Sequence, residues 1–492
     1  MHEQQVSRAY KTNNDNVFIK YIGLIASIGA AVSVLLLLLR MISMEIYFAS
    51  GPLLAFVIID IGLVAFSFFM VLSNKINRNN IIRFVCIALS VLILFINLFV
   101  ESYVSAADDF LGGIGFKSGS GTIEYSVIAQ RTAGIQLTPQ NSVRAGIQND
   151  DDLRAEAEKE TSRLAQATFT EYENVSEMIH ATETLDLDVG VVQSAILEAY
   201  AEYFPDDYNN IDVLATFKVG SSASTSNENG IKIDITKPFA VFISGLDDFG
   251  DIDSVKARSD VNMLVLIDPE RYKMLLISTP RDYYVQLHGT KGSRDKLSHA
   301  GIYGIDMSKN TIEDLYGVTA DYKALINFNT IVEVVDSMGG IVVSNPRTFE
   351  LWGQTYKEGD IWLNGDMALL FSRARKDLAN GDIDRAANQQ IVIQGMMDRL
   401  TEPQVVIHYK TILDSMKKYF RSNIPPEVIT QLFSRQISLG GDWTIEKMVA
   451  DGAGDMRPTY SMGGTELSVI IPNEQSLSEI RTAISNFMNR VD

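Results

Sequence analysis

The sequence predicts an α/β protein behind three N-terminal membrane-spanning helices, with a small α+β unit between the two. Three observations carry this. Apolar runs of bilayer length occupy the N-terminal part, Gly/Ser-rich stretches bracket a middle segment, and from Pro238 strand-like runs alternate with helical patterns. At 492 residues the chain has material for about two to four domains. The boundaries fall at 1–104 for the spans, 105–235 for the middle unit and 236–492 for the α/β domain, with its core at 238–400.

The first span covers Phe18–Leu39, ends in five leucines before Arg40, and is followed by runs near Tyr47–Leu72 and Ile81–Val100. A cleaved signal peptide is the competing reading of the first run. It lacks a convincing small-residue cleavage site, and two further runs follow it. Arg8, Lys11 and Lys20 precede or open span one, and Lys75, Arg78 and Arg83 surround the loop between spans two and three. The other side carries only Arg40, then Glu101, Asp108 and Asp109. Basic residues on short loops stay in the cytoplasm, so the N-terminus is expected inside and everything after about residue 104 outside. Asp60 falls within span two; a partner-satisfied carboxylate is favoured there over a chemical role.

Residues 105–120 read as a linker, Thr122–Arg131 as a strand, Asp151–Ala167 and Val191–Tyr203 as helices, Ile211–Val219 as a strand, and Gly220–Gly230 as a second linker. Phe239–Ser244 is an apolar strand ending at Gly245-Leu246-Asp247-Asp248. Next comes Arg258–Asp282, RSDVNMLVLIDPERYKMLLISTPRD, with strands Met263–Ile267 and Met274–Ser278 joined through Pro269-Glu270. A tight turn there sets the start of the first strand beside the end of the second, gathering Arg258, Asp260, Arg281 and Asp282 at one end of a sheet.

Further on, the sequence predicts a helix over Ser308–Tyr316, a strand over Ala324–Phe328, and a helix over Thr330–Met338 closed by Gly339-Gly340. Ile341–Ser344 is short and β-branched. Asn364–Phe371 leads into Ser372-Arg373-Ala374-Arg375, and Asp384 reads as the N-cap of a helix to about Leu400 with Ile391, Val392, Met396 and Leu400 as its apolar stripe. Two more helical patterns, a strand over Tyr460–Pro472 and a closing helix Ser476–Met488 complete the chain.

Charge limits the function. With 61 Asp+Glu against 42 Lys+Arg the net charge is −19, which argues against nucleic acid as a partner, although local arginine clusters still hold phosphate. Cys86 is the single cysteine, so neither an internal disulfide nor a thiolate cluster forms. Histidines 2, 180, 288, 299 and 408 show no zinc-ligand spacing.

Two clusters could carry chemistry: Asp247, Arg258, Asp260, Arg281 and Lys296, then Arg373, Arg375, Asp382, Arg385 and Gln389. The guanidinium fork matches two phosphate oxygens, so several converging arginines suit a pyrophosphate. Asp247 and Asp260 could hold Mg2+, a hard cation that takes oxygen ligands and bridges substrate phosphates. Taken singly, an Arg–Asp pair at a strand end is more often a surface ion pair than a catalytic one.

GLDD (245–248), RSDVNML (258–264), STPRDYYV (278–285), KLSHA (296–300), SMGGIVV (337–343), LNGDMALLFSRAR (363–375) and DIDRAANQQ (382–390) together resemble the ordered signature of the LytR-CpsA-Psr (LCP) family. Three spans and an extra external segment resemble its capsule-locus CpsA branch, with the middle unit as that branch's accessory domain. The resemblance implies a central mixed sheet flanked by helices. It also implies a membrane-anchored phosphotransferase that moves a glycopolymer, a capsular polysaccharide in this branch, from undecaprenyl-pyrophosphate to peptidoglycan and releases the lipid phosphate.

By the same resemblance Asp247 and Asp260 are the Mg2+-associated positions, with Mn2+ as an alternative ion. Arg258, Arg281, Arg373 and Arg375 bind pyrophosphate and serve catalysis with the two aspartates, while Gln389 and Lys296 lie by the phosphates. Many members carry arginine where this chain has Phe249 and Asn388, two departures that remove positive charge. Capsule assembly proteins are expected partners. The competing expectation is a regulatory sensor of lipid-linked precursors with pyrophosphatase side activity.

Overall fold

The computed structural model describes residues 2–43, 51–72, 80–116, 122–148, 153–172, 175–220, 233–246, 252, 257–292, 294–376, 378–400, 402, 408–462 and 464–491. Contacts divide the chain into two compact units, residues 1–113 with 425–442 and residues 114–424 with 443–492.

The first unit holds α1 (His2–Ser43), α2 (Gly51–Leu72) and α3 (Asn80–Gly113), together with a later helix, Pro426–Leu439. Lys20–Arg40 and Phe84–Gly113 are long and apolar enough to cross a membrane; the apolar part of α2, Ala55–Val71, is shorter. One serine from each helix meets in the bundle, with Ser27, Ser67 and Ser90 hydroxyls 2.6–3.3 Å apart. Such hydrogen bonds hold helices together where apolar surroundings offer no water. Asp60 is buried and hydrogen-bonded by Asn97, whose amide also donates to Ser33 Oγ at 3.3 Å, in keeping with the partner-satisfied reading. The linker expected from residue 105 begins later: Ala106 and Phe110 are buried one helical turn apart, and α3 continues to Gly113.

In the second unit, β1 (Thr122–Gln130), β2 (Ser142–Gln148), β3 (Gln166–Tyr172), β4 (Val189–Gln193) and β5 (Ile211–Gly220) pair in the order β3-β2-β4-β1-β5. They carry α4 (Arg154–Leu164), α5 (Val175–Glu183), α6 (Ser194–Tyr203) and the single turn α7 (Pro205–Tyr208). The helix expected to Ala167 stops at Leu164, because Gln166 onward pairs in parallel with β2. Val191 is likewise strand: Val189–Gln193 is buried throughout as a central strand, and the helix starts only at Ser194. Apart from Gly220, the second linker lies outside the described residues.

The α/β part runs β6 (Phe239–Leu246), β7 (Ser259–Asp268), β8 (Lys273–Ser278), β9 (Tyr284–Val285), β10 (Asp295–Lys296), α8 (Ala300–Tyr303), α9 (Ile305–Tyr316), β11 (Tyr322–Asn327) and α10 (Phe328–Ser337). It continues through β12 (Ile341–Asn345), β13 (Phe349–Leu351), β14 (Gln354–Tyr356), β15 (Gly359–Leu363), α11 (Gly365–Arg373), α12 (Asp382–Leu400), α13 (Tyr409–Tyr419) and β16 (Phe420–Ser422). After α14 (Pro426–Leu439) of the first unit come β17 (Thr444–Val449), β18 (Gly452–Pro458), β19 (Glu466–Pro472) and α15 (Glu474–Asn489).

The central sheet, ordered β16-β11-β6-β7-β8-β17, is mixed: β6/β11 and β8/β17 are parallel, the other pairs antiparallel. On one face Phe242, Leu264 and Ile277 pack against Ile312 of α9 and Leu477 and Ile480 of α15. On the other, Met263, Val265 and Leu276 meet Ile393 of α12. Burial on both faces explains why these strands read as unbroken apolar runs, each such side chain contributing about 1.5–3 kcal/mol.

Two further expectations are corrected. α12 starts at Asp382, so Asp384 is not its N-cap; it lies in the first turn, accepts from the Asn380 backbone N–H at 3.0 Å and pairs with Arg347 at 2.5 Å. Within Tyr460–Pro472 only Glu466 onward is strand, because Thr459 N–H donates to Thr465 and closes the preceding residues into a turn.

Candidate functional site

The β7–β8 hairpin pairs Met263 with Ser278, which brings Asp260 at the start of β7 next to Arg281 just past β8. Arg281 Nη1 donates to Asp260 Oδ1 at 2.5 Å. The other Asp260 oxygen lies 3.6 Å from Arg385 Nη1 on α12, and Arg385 in turn pairs with Asp382 one turn earlier. On the other side of Arg281, Asp282 accepts from Lys296 Nζ at 3.1 Å and from Arg375, with Arg281 Nε at 3.9 Å. The result is a continuous chain of alternating charge, most of it buried.

Burial sets its electrostatics. For Asp282, burial pushes the carboxyl up, but the Lys296, Arg281 and Arg375 cations outweigh it and hold the group below the usual carboxylate range. For Asp382, burial wins and the carboxyl is raised despite Arg385, with the Asp282 charge adding to the effect. Burial lowers the Arg385 guanidinium against the pull of Asp382 and Asp260. It acts in the same sense on Arg281, where Asp260 and Asp282 prevail and raise it.

Two helix ends position the remaining groups. Asn327 caps α10 through a reciprocal capping box with Thr330, placing Phe328 at the first turn. Asn364 caps α11 by accepting from Met367 N–H at 2.8 Å; α11 ends at Arg373, and Ala374 leaves the helical conformation. The Arg373 guanidinium then lies over the Phe328 ring, 4.3 Å from its centroid. Asn388 is fully buried and donates to the Phe371 carbonyl at 3.1 Å, so it braces the end of α11.

Between these elements is a narrow cleft of about 20 Å³. Its lining mixes polar side chains, Asp260, Asn327, Ser372, Arg373, Arg385 and Gln389, with apolar ones, Leu246, Val261, Ile326, Phe328 and Ile331. Of the residues singled out in the sequence, Asp260, Arg373 and Gln389 line the cleft and Arg281 is bonded to it through Asp260. Arg258 is half-buried immediately before β7. Lys296 and Arg375 stand behind, on Asp282. Asp247 lies outside the described residues. Ile391 packs with the cluster around Val335 and Phe371, so the cleft's apolar wall comes from other residues.

Asp260 offers the hard oxygen donor that Mg2+ takes, and Mg2+ sites commonly use one or two carboxylates completed by substrate phosphate and water. Among the described residues no three His, Cys, Asp or Glu side chains gather as a metal cage.

From sequence alone Asp282 has no role of its own, and Arg385 falls outside the phosphate-binding set. The signal for Asp282 was its place beside Arg281 at a strand end; that it would receive Lys296 and Arg375 depends on contacts that sequence spacing does not show.

The LytR_cpsA_psr family model matches residues 212–482. The polyisoprenyl-teichoic acid–peptidoglycan teichoic acid transferase TagU of Bacillus cereus (strain AH820) is 33% identical over 213 residues, 43% of this chain and 68% of that protein. TagU of Bacillus mycoides (strain KBAB4) is 31% identical over 214 residues, again 43% and 68%. Among solved structures, B. subtilis TagV matches at 26% identity and a TM-score of 0.44, covering 52% of this chain and 98% of that one.

Proposed function

Because the chain belongs to the LytR-CpsA-Psr family, we propose that it is a membrane-anchored phosphotransferase that moves a glycopolymer from a polyprenyl pyrophosphate carrier to peptidoglycan. The observation that supports this best is the mixed lining of the cleft: Arg373, Arg385 and Gln389 suit a phosphate group, and Leu246, Val261, Ile326, Phe328 and Ile331 suit the apolar chain attached to it. A capsular polysaccharide is the polymer we favour, from the likeness to the CpsA branch. Three N-terminal spans with the N-terminus inside set the site outside the membrane, where lipid-linked pyrophosphates are displayed and ATP is scarce.

In this reading Arg258, Arg281, Arg373 and Arg375 grip the phosphates, Gln389 donates an amide N–H to them, and Lys296 keeps Asp282 and hence Arg375 in place. An acceptor hydroxyl of peptidoglycan attacks the glycan-proximal phosphorus. The new P–O bond forms as the bond to the bridging oxygen breaks, the lipid phosphate leaves with that electron pair, and the hydroxyl proton passes to a carboxylate, Asp247 or Asp260. Mg2+ held by the same aspartates would neutralise charge on the phosphate oxygens. Positioning and neutralisation are most of what phosphoryl transfer requires.

Arg281→Ala and Asp260→Ala should each abolish attachment of polymer to the wall while the protein is retained in the membrane. Wall-bound polymer at the wild-type level in either variant overturns the reading.

A further inference from the structure

The geometry points to Tyr203, at the end of α6 beside the five-stranded sheet, as a positioning residue for the phosphate site through the ammonium of Lys296. This rests on the function proposed above and deepens it. Lys296 is 5% exposed, and its Nζ has Asp282 Oδ1 on one side at 3.1 Å and the Tyr203 ring on the other, 5.3 Å from the centroid. A desolvated ammonium is costly unless each of its faces meets negative charge or a π cloud. The carboxylate supplies one compensation and the ring the other.

What Lys296 holds is the hub of the site. Asp282 receives Lys296 on Oδ1 and Arg375 on Oδ2, so the direction of that carboxylate fixes the guanidinium at the end of α11. Tyr203 is itself held firmly. Its ring meets His299 edge-on at 6.0 Å and 74°, and His299 Nδ1 is 2.7 Å from Asp295, which also accepts from Ser461. Around it Ile196, Ala199 and Tyr200 of α6 form one buried cluster with Ile302, Met462 and Leu467 of the α/β part. The middle segment thus reaches Lys296 through the aromatic face of Tyr203.

The test replaces Tyr203 in the full-length chain, in detergent, with phenylalanine and then with mono-, di- and trifluorinated phenylalanine. The shape is kept while fluorine drains the negative face of the ring. Affinity for geranylgeranyl pyrophosphate with Mg2+ is measured for each, in the native and the Lys296→Met background. With Lys296 present, affinity should be near wild type for phenylalanine and fall stepwise with fluorine, by about ten-fold across the series. With Lys296→Met the series should be flat, since coupled residues are not additive.

A flat series in the native background, or equal slopes in both, overturns the inference, because a packing role alone is insensitive to ring electronics. Wild-type protein that fails to bind the prenyl pyrophosphate overturns the functional reading first and this inference with it.

Discussion

Replacing Asp282 with asparagine should cost about 3–5 kcal/mol of stability, the range found when one partner of a buried ion pair is removed. The carboxylate is 2% exposed and faces Lys296 at 3.1 Å, Arg375, and Arg281 Nε at 3.9 Å. An amide oxygen can still accept from Lys296, but the amide nitrogen then turns donors toward Arg375, so Lys296 and Arg375 lose their shared counter-charge while Arg281 keeps Asp260. At about 1.4 kcal/mol per factor of ten, the folded-to-unfolded ratio falls by about two to three and a half orders of magnitude.

The same pairing gives a pH dependence. Because the folded Asp282 carboxyl lies below its unfolded value of about 3.9, its contribution is fully present above that pH and is lost as pH falls through the folded value. Thermal and denaturant unfolding of the full chain in detergent, wild type against Asp282→Asn at neutral pH and across the acid range, measures both effects. A variant within about 0.5 kcal/mol of wild type, as for a surface substitution, would refute the hub.

Gly365→Ala should destabilise by about 1–3 kcal/mol, since the added Cβ would sit 2.3 Å from the Val332 carbonyl oxygen where α10 and α11 cross; unchanged unfolding would show that the crossing relaxes freely. Asn327→Ala removes one half of the α10 capping box and should cost about 1 kcal/mol by denaturant unfolding, with Asn327→Ser largely retaining stability.

The elements legible in the sequence were those whose pattern one layer of burial decides. Val261–Ile267 and Leu275–Ile277 are covered on both faces of the sheet, so they appear as continuous apolar runs, and the turn between them fixed which charged residues meet. The strands Ser142–Gln148 and Gln166–Tyr172 were missed because they belong to a sheet assembled from distant segments, and QATFTEY is half-exposed and polar. Val191 reads as helix because a short buried strand running directly into a helix has no turn residue to mark the change.

In the site, the arginines and Asp260 were legible from residue type and strand-end position. The division of labour was not. Arg373 lies on the cleft while Arg375 turns back to Asp282, because the helix ends between them. Nor could spacing show that Lys296 is buried between a carboxylate and an aromatic ring contributed by a segment about ninety residues earlier.

The most direct measurement of the central claim is turnover. Purified full-length protein is given a prenyl-pyrophosphate-linked glycan and peptidoglycan fragments with Mg2+, and released prenyl phosphate is counted against glycan joined to peptidoglycan. The account predicts that the two products appear together, one for one, and that neither forms with Arg281→Ala. Tight retention of the intact lipid-linked glycan, with no prenyl phosphate released by the wild-type protein, would contradict it and identify the cleft as a sensor's.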